Sequence, residues 1–180
     1  SGVFTDLQTG DYIVTIQDDS LCTFDVSFTV IQLSSLSGNI TTQTNIECNG
    51  DATGEFTVEG AGGSAPYQYS FEGGAFDAQT TYTGLTAGTY NIVIRDDSLC
   101  LFGIAVDITE PDVLSSTVIA QDIACNGEVN GSIVIEGIGG TAPYLYSFEG
   151  GPFDPVNNFL GLPAGDYTID VQDANLCAYD

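Results

Sequence analysis

Five cysteines, Cys22, Cys48, Cys100, Cys125 and Cys177, are the most reactive side chains in this 180-residue sequence. A thiol can form a disulfide, bind a metal, or act as a nucleophile or redox centre. There is no histidine, and no two cysteines stand in a C-x-x-C spacing. A zinc site would lack its usual ligands, and a catalytic cysteine or serine would lack its usual base. Three of the cysteines close similar acidic stretches: IQDDSLC (16–22), IRDDSLC (94–100) and VQDANLC (171–177). Their carboxylates, Asp18, Asp19, Asp96, Asp97 and Asp173, are the hard oxygen donors that calcium prefers, roughly six to eight per ion. Aspartate is also an ordinary β-turn residue. Ala174 stands where Asp19 and Asp97 stand, and no D-x-D-x-D-G loop occurs. Calcium is therefore the one cofactor weighed here, against none.

Other catalytic chemistry finds no support. The glycine-rich EGAGGSAP (59–66) lacks the lysine and following helix of a phosphate loop. Glu72 and Glu149 occupy equivalent places in similar segments, as a scaffold requires and an active site does not. No enzyme is expected. Tyr67, Tyr69, Tyr144 and Tyr146 fall on alternating positions, which suits a sugar platform or, with better reason, a core.

The elements that carry these residues are repeated. Shifted by 77, Ile46–Cys100 lies on Ile123–Cys177 without a gap, and 29 of the 55 pairs are identical, which excludes chance. LQTGDYIVTIQDDSLC (7–22) matches LTAGTYNIVIRDDSLC (85–100) at an offset of 78. The reading is the C-terminal part of a first repeat (1–33), a complete second repeat (34–111) and a third repeat without its last strand (112–180). The chain also has no methionine, and it is expected to be part of a longer protein.

Each repeat alternates with period two. Phe56 and Val58 fall on one face, as do Tyr67, Tyr69 and Phe71, then Tyr90, Ile92 and Ile94, then Phe102, Ile104, Val106 and Ile108. Gln68, Ser70 and Glu72 are expected outward. Alternating β-branched and aromatic residues between glycine pairs signal half-buried strands. Six or seven short strands per 77 residues predict a β-sandwich. GLTAGTY (84–90) and GLPAGDY (161–167) resemble the corner between the fifth and sixth strands of fibronectin type III and Ig-like domains. The fold class is all-β: tandem Ig-like or fibronectin type III-like sandwiches of about 77 residues. EPDVL (110–114) reads as a short, semi-stiff linker.

Charge limits the partners. The chain has 25 acidic residues against one cation, Arg95, for a net charge of −24. Such a surface repels nucleic acid and anionic membranes. Hydrophobic residues at 43% supply cores rather than disorder. No apolar run is long enough to span a bilayer, and none looks like a signal peptide.

The ordered set C-N-G-x-x-x-G, G-G-x-x-P-Y-x-Y-S-F, L-x-A-G-x-Y and D-x-x-L-C resembles the SprB repeat. That repeat builds long surface adhesins of gliding Bacteroidetes. The resemblance implies an extracellular, cell-surface filament or adhesin, exported by type IX secretion, that gives spacing, rigidity and display. It implies no catalytic residues. The alternatives are the stalk of a secreted enzyme or carbohydrate-binding protein, or modules that bind glycans themselves. The partners implied are neighbouring repeats of the same chain, other copies in a fibre and surface glycans. DSL at 19–21 and 97–99 resembles the short O-glycosylation pattern of the same bacteria, which would place sugar on Ser20 and Ser98. The sequons NIT (39–41) and NGS (130–132) carry little weight in a bacterium.

In an extracellular chain, cysteines at fixed phase read as structural disulfides. Two connectivities stay open. Pairing within repeats joins Cys48 to Cys100 and Cys125 to Cys177. In a fibronectin-like sandwich, however, those loops lie at opposite poles, roughly 20 Å apart, whereas bridged Cα atoms lie within roughly 7 Å. Head-to-tail stacking permits Cys48–Cys177 across repeats instead. Cys22, Cys100 and Cys125 would then pair with further repeats.

Overall fold

The computed structural model describes residues 2–32 and 34–179. Fourteen strands run through them in order, without an intervening helix. Among the described residues, no helix is long and apolar enough to cross a membrane. The first two strands, β1 (Gly10–Gln17) and β2 (Thr23–Val30), form an antiparallel hairpin in full register. Six follow: β3 (Ser37–Thr44), β4 (Gly54–Ala61), β5 (Gln68–Phe71), β6 (Thr81–Leu85), β7 (Gly88–Arg95) and β8 (Leu101–Ile108). The last six are β9 (Ser115–Gln121), β10 (Gly131–Ile138), β11 (Leu145–Phe148), β12 (Asn158–Leu162), β13 (Ile169–Gln172) and β14 (Ala178–Tyr179).

β3–β4–β6 and β5–β7–β8 are two three-stranded antiparallel sheets. β9–β10–β12 and β11–β13–β14 repeat that arrangement. Strand membership follows from the alternation. Phe56 and Val58 on β4 and Ile92 and Ile94 on β7 point across the gap and have no exposed surface. Ile46, Tyr69, Tyr82, Leu85, Val106 and Ile108 complete the first core. Burying each such side chain is worth roughly 1.5–3 kcal/mol. Leu114, Ile135, Tyr146 and Val171 form the second core. β7 is paired with β8 over eight residues, whereas β13 pairs with β14 over two, and β13 itself is only four residues long.

One outward-facing position is not exposed. Ser70, which pairs with Val93 on the face away from the core, and its counterpart Ser147 are buried beneath turns. Each hydroxyl donates to a turn carbonyl, Gly74 O at 2.7 Å and Gly151 O at 2.8 Å. Satisfying the hydroxyl locally removes the cost of burying it.

The corner resemblance has a physical counterpart. Tyr90 donates its hydroxyl to Thr86 O at 3.0 Å, and Tyr12 and Tyr167 make the same bond to Gln8 O and Pro163 O. Glu72 and Glu149, at φ 48° and 52°, occupy left-handed turn positions. Such a conformation costs a non-glycine residue about 1–2 kcal/mol. Their carboxylates offset it by accepting the backbone N–H of Asn91 in β7 and of Thr168 just before β13.

Candidate functional site at the joint between repeats

The three acidic stretches fold into one turn, made three times. Asp173 N–H donates to Cys177 O at 3.0 Å, and Leu176 N–H donates to Asp173 O at 3.1 Å. Asp173 Oδ1 accepts the N–H groups of Asn175 and Cys177, both at 2.9 Å. Its Oδ2 accepts Thr141 N–H at 2.8 Å, which ties the turn to the loop after β10. Asp96 bonds Cys100 N–H and Ser64 N–H in the same way, and Asp18 bonds Ser20 and Cys22 N–H. Asp96 and Asp173 are buried. Burial alone would raise the Asp96 pKa, but the N–H groups of Ser64, Cys100 and Ser98 outweigh it and hold the carboxyl below its usual range.

These bonds bear directly on the calcium reading. The oxygens of Asp18, Asp96 and Asp173 accept backbone N–H groups that an ion would have to displace. Asp97 contributes its own N–H, to Ser64 O at 2.8 Å, and Ala174 makes the same bond to Thr141 O. That position therefore works without a carboxylate. Among the described residues, no three of His, Cys, Asp and Glu gather as a metal cluster.

The C-N-G loop after β3 is the second component. Asp51 N–H donates to Cys48 O at 3.2 Å, and Glu128 N–H makes the same bond to Cys125 O. Asn49 donates its amide to Pro111 O at 2.9 Å, and Gly50 N–H donates to the Glu110 carboxylate at 2.7 Å. Thus the loop grips the linker that leaves β8. The following repeat grips it from the other side, because Gly140 N–H donates to Asp112 O at 2.8 Å. Gly139 must be glycine there: its φ is +72°, and a Cβ would lie 2.1 Å from Val113 O.

The two components meet. Cys48 and Cys177 are joined by a disulfide, with Cα atoms 5.6 Å apart. Asn175 donates its amide to Glu47 O at 3.0 Å and to Thr141 Oγ1 at 3.1 Å. Cys48 is therefore not bonded to Cys100, nor Cys125 to Cys177. The fold explains why. The Asp96 turn, through Ser64 and Gly63, sits at the pole where Ser34 enters the sandwich. The Cys48 loop sits at the opposite pole, where Glu110 and Pro111 leave it. An eight-residue strand of roughly 26 Å separates the two poles. Cys22, Cys100 and Cys125 are exposed and free among the described residues.

The remaining candidates have plain places. Ser20 and Ser98 are exposed within their turns. Tyr69 and Tyr146 are buried and accept the N–H groups of Gly60 and Gly137 through their hydroxyls. Tyr67 and Tyr144 lie over those glycines, where a Cβ would come within 2.8 and 2.6 Å of the rings. A depression lined by Gly131, Ile133, Leu162 and Tyr167 lies at the edge of the second sandwich. At the equivalent place in the first, Ile108 packs over Gly54. Glu47, Asn49, Glu110 and Asn175 were not picked out from the sequence. The repeated C-N-G was the available signal for Asn49, and the change from Ser20 and Ser98 was the one for Asn175.

None of the curated proteins matches this chain. The SprB repeat family matches at two places, each running from the first strand of a sandwich past the Y-S-F strand. The two matches cover residues 40–76 and 117–153, and both are consistent with a SprB-type repeat.

Proposed function

We propose that this chain is a structural segment of an extracellular bacterial surface fibre or adhesin. It holds apart and displays whatever the fibre carries. The observation that supports this best is the joint. Two successive SprB repeats are fastened by a disulfide, by Asn175 on Glu47 and by a linker gripped from both sides. A binding or catalytic module needs an open site, whereas these features stop two modules bending against each other.

In this reading Cys125 is a second copy of the Cys48 half-joint. Cys22 and Cys100 are further copies of the Cys177 half. Each pairs with a neighbouring repeat. The surface is strongly acidic, which keeps parallel fibres apart. Export by type IX secretion and a part in gliding belong to the same proposal.

An antibody raised to residues 34–180 tests it on native cells. Labelled filaments extending from the cell surface are expected. Label confined to the cell interior, or found only on a soluble enzyme in the medium, overturns the fibre.

A further inference from the structure

The disulfide joins residues 129 apart in sequence while holding their Cα atoms 5.6 Å apart. Everything from residue 49 to residue 176 is therefore a closed loop. Residues 34–48 lead into the bridge through β3, which is already extended at roughly 3.3 Å per residue and has no slack. After Cys177 the chain continues directly into β14.

We propose that Cys48–Cys177 is the tension path of this protein. A pull on the two ends runs along β3, crosses the sulfur bond and leaves through the strand after Cys177. Residues 49–176 hang beside that path, so they cannot be drawn out, however often the modules unfold. Mechanical strength then does not depend on the stability of either small core. The bridge joins the loop after the first strand of one sandwich to the turn before the last strand of the next, so the path advances along the array.

A repetition of the joint would strengthen this. Cys125 lies between Cys48 and Cys177 in sequence. A bridge from Cys125 to a later D-x-x-L-C turn would begin inside the loop that Cys48–Cys177 closes. Successive bridges would interleave, and each section of the array would be crossed by a bridge as well as by the main chain.

The inference deepens the fibre reading and rests on it for its use in the cell, but its test does not. The 180-residue chain is stretched between handles at its two ends, with Cys22, Cys100 and Cys125 changed to serine to prevent exchange. In oxidising buffer only residues 1–47 and 178–180 can lengthen, to about 175 Å at roughly 3.5 Å per extended residue. Adding a reductant during the pull releases residues 49–176, about 450 Å more by the same conversion. The further change Cys48→Ser should give the long extension without reductant. Release of the 450 Å step while the chain is oxidised overturns the proposal, as does a reduced chain that lengthens no further. Because the force trace reads only the bridge, failure here leaves the surface-filament experiment to stand or fall by itself.

Discussion

The side-chain amide of Asn175 donates to the main-chain oxygen of Glu47, 3.0 Å away and 128 residues earlier. Asn175 belongs to the turn that opens the last strand of one sandwich. Glu47 belongs to the loop that follows the first strand of the preceding one. The bond therefore reports how the two repeats stand, independently of the sulfur bridge beside it.

Asn175→Ala should loosen the joint without opening either core. It removes the donor to Glu47 O and to Thr141 Oγ1, at a net cost of about 0.5–1.5 kcal/mol per bond and less where water can replace it. With the disulfide intact, amide exchange should quicken at residues 173–177 and stay unchanged in β4 and β7. Unchanged exchange in the turn would mean that the amide does not tie the joint.

Cys48→Ser is the larger perturbation. Removing a native disulfide from small β modules costs about 2–5 kcal/mol. The melting temperature should fall, and wild-type protein in reductant should melt with the variant. A peptide map without reductant should first find Cys48 linked to Cys177. A peptide linking Cys48 to Cys100 would contradict the joint directly.

Much of this could be read from the sequence, for a physical reason. Strands such as GEFTVEG and TYNIVIRD show one face to a core, and period two is a local signal. Phe56, Val58, Ile92 and Ile94 follow from that signal, and all four are buried. Ser70 is buried despite its outward face because alternation assigns a face but not a turn acceptor such as Gly74 O. The disulfide stayed open because pairing depends on how repeats stack, which 77-residue periodicity does not state. Asn49 and Glu110 escaped notice because their partners are a main-chain oxygen and a main-chain N–H, which leave no mark in side-chain patterns.

The Asp96 turn should be sensitive to acid. Its carboxyl is held below the ordinary value of 3.8 in the folded state. A carboxyl with a depressed folded pKa stabilises the fold above its unfolded value, and that contribution disappears as pH falls through the folded value. Other carboxyls titrate in the same range, and losing their repulsion has the opposite sign, so the useful quantity is a difference. Wild type should exceed Asp96→Asn in melting temperature at pH 6, and the gap should close below pH 3.8. A gap that is constant with pH would remove the ionised Asp96 from the account of the turn.

Calcium should not be needed at these turns. An ion at Asp96 or Asp173 would have to displace the N–H groups of Ser64, Cys100, Thr141 and Cys177 that the carboxylates accept. Millimolar calcium and excess chelator should give the same melting temperature within about 1 °C. A rise of several degrees with calcium, saturating with concentration, would show that the folded state binds the ion and would overturn this expectation.

Sugar on Ser98 and a bridge at Cys100 should exclude each other. Ser98 occupies the position of Asn175, two residues before the cysteine of an equivalent turn. In the occupied joint that position faces the preceding repeat closely enough for a direct bond to Glu47 O. A glycan on Ser98 would fill the space that a preceding C-N-G loop must enter to reach Cys100. Mass spectrometry of the native protein should therefore find Ser98 unmodified in every peptide whose Cys100 is disulfide-bonded. A peptide that carries both would mean that the Asp96 turn does not dock as the Asp173 turn does. The single joint between Cys48 and Cys177 would then not be the pattern for the rest.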